Sequence, residues 1–158
     1  MKNKMSSPSI TDSHCHLDFA DFNENLKETV ENALRSGVNR MVTICTRLKD
    51  EPNVKGIAEK FESVFYAAGT HPMNAHKEPT VNVAHLLKMS KHPKFVGIGE
   101  TGLDYYYTTE TKKDQKESLL VHIEAAQRSS LPLIIHARAA DKDIADILEN
   151  EYKNAKFS

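Results

Sequence analysis

Short apolar runs alternate with longer amphipathic stretches along the whole chain, and no other feature limits the fold as strongly. Apolar runs at Ile10–Ser13, Met41–Cys45, Val64–Ala68, Phe95–Ile98 and Leu131–Ile135 read as strands. Between and after them, Asn25–Gly37, Val54–Phe61, Val83–Met89, Thr109–Ser129 and Asp143–Leu148 read as helices. The first helix has Leu26, Val30, Ala33 and Leu34 at helical spacing and stops at Gly37; the fourth aligns Leu119, Leu120, Ile123 and Ala126. Strands that are apolar on both parities are buried on both faces, as in a parallel sheet covered by helices. The pattern is therefore α/β.

The strand ends fall at His14, Cys45, His71, Glu100 and His136, at intervals of 45−14=31, 71−45=26, 100−71=29 and 136−100=36 residues. Eight such units need roughly 250 residues, the typical size of a (β/α)₈ barrel. This chain of 158 residues supplies five, so a five-stranded open sheet and a barrel sequence of five units both fit. With no low-complexity segment or linker, residues 1–158 read as a single domain.

Three strand ends carry ligand-type side chains. His14 and His16 are two residues apart, which in extended chain puts both imidazoles on one face, about 6–7 Å apart. Glu100 leaves its strand among Gly97, Gly99 and Gly102, where backbone can approach closely. His136 follows an aliphatic run. In a parallel sheet these ends share one rim, which is where α/β folds place ligands. Each residue alone has an ordinary explanation: a chance His-x-His, a capping or ion-paired glutamate, a core histidine. Together they read as a metal site for Zn²⁺, Mn²⁺ or Fe²⁺, with Glu100 able to bridge two ions. Two such ions suit phosphoester hydrolysis.

His71, at the end of the third strand, reads as a contact for substrate or as a turn histidine before Pro72. Arg138 is a candidate phosphate fork, and Tyr105, Tyr106 and Tyr107 offer rings for stacking or for packing. His85, His92 and His122 fall in helical patterns or at their ends and read as surface residues. Cys15 and Cys45 read as reduced, buried thiols of a cytoplasmic protein. The first eight residues lack the apolar stretch of a signal peptide, and no run of 18 apolar residues spans a membrane. With 21 basic and 22 acidic residues the formal charge is −1, so any nucleic acid must be held by a local site. Walker, dinucleotide and nucleophile-elbow motifs are absent.

Four phrases in register, covering nearly the whole chain, resemble the TatD-type metal-dependent deoxyribonucleases of the amidohydrolase-like barrels. They are Asp12-Ser13-His14-Cys15-His16-Leu17-Asp18, Gly69-Thr70-His71-Pro72, Gly99-Glu100-Thr101-Gly102-Leu103-Asp104-Tyr105-Tyr106 and Pro132-Leu133-Ile134-Ile135-His136-Ala137-Arg138. The resemblance implies a (β/α)₈ TIM-type barrel and a divalent-metal-dependent hydrolase cleaving DNA phosphodiesters, often as an exonuclease on single strands or ends. It carries the metal-ligand role to His14, His16, Glu100 and His136, with two divalent ions (Mg, Mn or Zn) per complete site and Glu100 shared. It gives Glu100, His71 and Arg138 places in the catalytic set.

The family pattern continues with a metal histidine on a sixth strand and an aspartate on an eighth, beyond Ser158. Ala139, Leu119 and His122 depart from the family's usual aspartate, phenylalanine and glutamine. Five strands leave two unpaired edges, so the chain is expected to be marginal, self-associating and weakly active alone. Two alternatives accompany the nuclease: a related barrel hydrolase acting on another ester or amide, and a non-catalytic metal-binding fragment.

Overall fold

The structure, a computed structural model, describes residues 9–78, 81–107 and 109–154. The amino-terminal stretch read above for a leader lies outside them. Five strands, β1 (Ile10–Cys15), β2 (Val38–Cys45), β3 (Val64–Ala68), β4 (Phe95–Asp104) and β5 (Leu133–Arg138), form one sheet in the order β1-β2-β3-β4-β5. All four pairings are parallel. The connections run through α1 (Leu26–Arg35), α2 (Glu51–Lys60), α3 (Val83–Met89) and α4 (Lys112–Ser129), and α5 (Asp141–Asn154) follows β5. No helix among the described residues is long and apolar enough to cross a membrane.

Burial along the sheet follows position. Nine of the ten β4 residues are buried, whereas β1 and β5, at the two edges, bury none. Ile10 and Ile135 leave apolar surface exposed there. The central strands and the helix faces upon them make one core, with Ile44, Val54, Tyr66, Leu86 and Ile98 among its fully enclosed side chains. A smaller cluster of Leu103, Leu119, Ile123, Ala140 and Ile144 fastens α4 and α5 to the end of β4.

Two readings of α4 are corrected. Leu120 is exposed rather than part of the packed face, and His122, read as a surface residue, is fully buried. The face that meets the sheet runs through Gln115, Leu119, His122, Ile123 and Ala126. His92 is also more than a surface residue, being half-buried against the Tyr66 ring at 5.5 Å. β4 runs six residues past its expected end, because Gly99 and Gly102 continue the strand instead of breaking it. At Gly99 (φ +133°) and Gly102 (φ +144°) a Cβ would lie 2.5 Å from the Ile134 carbonyl oxygen and 2.0 Å from that of His136. Only glycine permits β5 to approach so closely there.

At the amino end of the sheet, the Lys94 ammonium donates to the carbonyl oxygens of Ala58 (2.7 Å), Phe61 (2.6 Å), Glu62 (3.2 Å) and Val64 (3.2 Å). It closes the carboxyl terminus of α2, where helix carbonyls are unsatisfied and a cation is favoured.

Candidate metal centre

At the other end of the sheet β1, β4 and β5 finish side by side, and the side chains expected to meet there do so. His14 is on β1, His16 directly follows it, Glu100 lies on β4 and His136 on β5. The His14 and His16 rings are 5.1 Å apart, nearly perpendicular. Glu100 stands between two groups of donors: His14 Nε2 is 3.7 Å from its Oε2, and His136 Nδ1 is 3.2 Å from its Oε1. Two sets of ligand atoms, His14/His16/Glu100 and His71/Glu100/His136, each lie within 4.8 Å of one another. Glu100 belongs to both.

The backbone fixes the proton on several of these rings. His16 Nδ1 is 3.0 Å from the Ile44 carbonyl oxygen, which can only accept, so Nδ1 carries the hydrogen and Nε2 keeps its lone pair. His71 Nδ1 accepts from the Met73 amide at 3.2 Å, so in the neutral ring the hydrogen is on Nε2, 3.2 Å from His136 Nδ1. Burial, and next the neighbouring His136, hold His71 below the usual imidazole range, which keeps it neutral. His136 then directs its own N–H from Nε2 to Asp104 Oδ2 at 3.0 Å.

With its Nε2 on Asp104, His136 turns Nδ1 toward Glu100 Oε1, and imidazole nitrogen with carboxylate oxygen is a donor set that divalent Zn or Mn accepts. The residues present therefore fit a metal.

Asp104, whose place at the rim the sequence does not mark, stands behind His136. It is buried, with Oδ2 on His136 and Oδ1 accepting the Tyr106 amide at 3.0 Å. Burial alone would raise its carboxyl, but the His136 and backbone hydrogen bonds outweigh that and hold it below the usual carboxylate range. Gln115 of α4 pairs with the backbone of Asp104, accepting from its N–H at 2.8 Å and donating to its C=O at 3.1 Å. His122 reaches the same rim indirectly: its Nε2 accepts the Thr70 amide at 3.1 Å while Nδ1 donates to the Ser118 carbonyl at 2.7 Å. Burial pushes its pKa down to about 4.

Arg138 is exposed and is not among the grouped ligand atoms. Its guanidinium lies 4.0 Å from the Tyr106 ring centre and 4.7 Å from that of Tyr107, and it donates to the Tyr107 hydroxyl at 3.0 Å. Of the three tyrosines only Tyr105 packs inward, with its hydroxyl donating to Asp143 at 2.7 Å. Both cysteines are free thiols; Cys45 is buried and Cys15 half-buried, and burial raises each pKa to about 12.

The family profile of TatD-related DNases matches residues 11–157. The chain is 36% identical over 146 residues to the uncharacterized metal-dependent hydrolase YcfH of Escherichia coli K12, covering 90% of this chain and 54% of that one. It is 35% identical over 153 residues to a second uncharacterized metal-dependent hydrolase, BU355 of Buchnera aphidicola, covering 90% and 57%. The crystal structure of YjjV, a TatD homologue from Escherichia coli, superposes with a TM-score of 0.81 at 27% identity, over 89% of this chain and 55% of that one. The five β/α units are thus successive units of a TIM-type barrel, and the chain spans about half the length of the curated relatives it matches.

Proposed function

The chain belongs to the TatD family of metal-dependent hydrolases, and on that footing we propose that its site serves the divalent-metal-dependent cleavage of DNA phosphodiesters. The observation that carries this reading is Glu100, whose two oxygens face two separate groups of imidazoles. His14, His16, Glu100 and His136 are the proposed ligands, with Glu100 shared between two ions (Mg, Mn or Zn). When bound, such ions supply Lewis acidity at a phosphoryl oxygen and lower the pKa of water.

The chain's own residues have definable tasks. Ile44, through its carbonyl, aims the His16 lone pair; Asp104 does the same for His136. Once the His136 Nδ1 lone pair is engaged, the His71 Nε2–H has no acceptor there and becomes free to donate to a substrate oxygen. Arg138, held over the tyrosine rings, is placed to meet a neighbouring phosphate. Unpaired bases would stack on Tyr106 and Tyr107, which are 63% and 62% exposed. The free thiols suit a reducing compartment, which we take to be the cytoplasm. The bare edges at β1 and β5 offer backbone for pairing with a second copy.

End-labelled single-stranded DNA, incubated with Mn²⁺ or Mg²⁺ and then with chelator, tests the reading. Cleavage should need the ion and should be lost in Glu100→Gln. Cleavage that survives chelation removes the proposal, and turnover confined to carboxylic esters or amides would transfer the site to other substrates.

A further inference from the structure

The His16 imidazole is held by more than the Ile44 carbonyl at its edge. The Phe19 ring lies flat against it, with centroids 4.7 Å apart and planes inclined by 8°. The His14 ring meets it nearly perpendicular, at 5.1 Å and 77°. From this stack we infer that Phe19 is a positioning residue for the metal centre, fixing the plane of the His16 imidazole before an ion arrives. The inference rests on the metal reading above, whatever the substrate, and adds the residue that pre-orients one ligand.

The local sequence brings the two rings together. β1 ends at Cys15, and Leu17 and Asp18 then form a turn in which the Phe19 amide donates to the His16 carbonyl at 3.3 Å. Such a turn returns its fourth residue to the side of its first, and here both carry rings. Leu17 anchors the turn from below: its side chain is buried in the core, and its amide donates to the Thr43 hydroxyl at 3.1 Å. On the far side the Phe22 amide donates to the Phe19 carbonyl at 3.0 Å, so the Phe19 backbone is tied in both directions.

Three observations give the Phe19 ring this task. It is 46% exposed and belongs to neither hydrophobic cluster, so the fold makes little use of its area. The bond from His16 Nδ1 to the Ile44 carbonyl, at 3.0 Å, fixes one ring atom but lets the ring swing about that bond. A flat aromatic neighbour removes the swing. Finally, the ligand atoms of His14, His16 and Glu100 lie within 4.8 Å of one another, so a tilt of the His16 ring carries its nitrogen away from the other two. A ring free to tilt must be immobilised when the ion binds, and that costs affinity.

Two measurements on the whole chain test this. In ion-free protein, proton NMR should find the ring-carbon protons of His16 displaced upfield by the Phe19 ring current. The displacement should persist in Phe19→Tyr and vanish in Phe19→Leu. Zinc titration against a chromogenic chelator should place Phe19→Tyr within about twofold of the parent. Phe19→Leu should be about threefold to tenfold weaker in one zinc-binding step, the range that one aromatic stack spans. The urea midpoints of the ion-free proteins should stay alike. Phe19→Leu binding zinc as tightly as the parent overturns the inference and leaves the metal centre standing, as does Phe19→Tyr falling as far as Phe19→Leu. A loss of affinity matched by a lower urea midpoint would assign Phe19 to the fold instead. No upfield displacement in the parent removes the stack itself. A parent chain that takes up no zinc overturns the metal centre, and the inference with it.

Discussion

The two ends of the sheet each build a cage for a cation, and they differ in where the cation comes from. At the amino end the four carbonyl oxygens around Lys94 are filled by an ammonium that the chain itself carries. At the carboxyl end Glu100 and four imidazoles, those of His14, His16, His71 and His136, converge in two sets of ligand atoms that share Glu100. The difference separates stability from function. A covalently attached cation is present whenever the chain is folded, so it secures packing. A cage left for an external ion can exchange it and present it to substrate, at the cost of holding several acceptor atoms together without it.

The contrast is sharpest if each end can be damaged alone. Lys94→Met should leave four carbonyls without their charged donor and lower unfolding free energy by about 4 kcal/mol in urea, with divalent-ion affinity unchanged. A weaker ion affinity in that variant would mean that the two ends are coupled. His122 makes the next largest difference. It is neutral when folded, with a pKa of about 4 against 6.5 ordinarily. Between those values the unfolded chain takes up a proton that the folded chain refuses, so stability is kept above pH 6.5 and lost as pH falls towards 4. The loss amounts to about 3 kcal/mol, and His122→Gln, which retains an acceptor for the Thr70 amide, should flatten the curve of urea midpoint against pH.

Glu100→Ala should do the reverse of Lys94→Met: Zn²⁺ affinity falls at least about 100-fold while the ion-free protein unfolds at the same urea concentration or a higher one. Equal affinity in variant and parent would remove Glu100 from the site. The smallest effect is expected of Asp104→Asn, which leaves His136 an acceptor but takes away the charge behind it. An affinity loss of about tenfold, read by competition with a chromogenic chelator, fits an orienting partner, and no loss would deny it that task.

The same two ends differ in how much of them the sequence disclosed. β3 and α3 have the bounds that periodicity sets, because apolar spacing and the Asn82 cap (its Oδ1 accepting the His85 amide at 2.9 Å) are local signals. The convergence of His14, His16, Glu100 and His136 was legible as well, since parallel strands oblige their ends to share a rim. β4 was read short, because Gly99 and Gly102 mark a turn in one dimension, whereas their close approach to Ile134 and His136 is a fact of three. His122 was misplaced for a related reason: a histidine in a helical pattern looks exposed until a buried amide is known to face it. The pairings of Asp104 with His136 and of His16 with the Ile44 carbonyl were out of reach, the partners lying 32 and 28 residues apart in sequence. Nothing in the sequence marks Lys94 among 21 basic residues.

The sheet's spatial order repeats its order along the chain. A nascent polypeptide can therefore lay down each β/α unit on the one that left the ribosome before it, with no gap held open for a later insertion. Ion capture has a different schedule, for its groups arrive with the first, fourth and fifth strands. In a refolding experiment helical signal should accordingly rise ahead of zinc uptake, and the ion would act as a timer for arrival of the fifth unit.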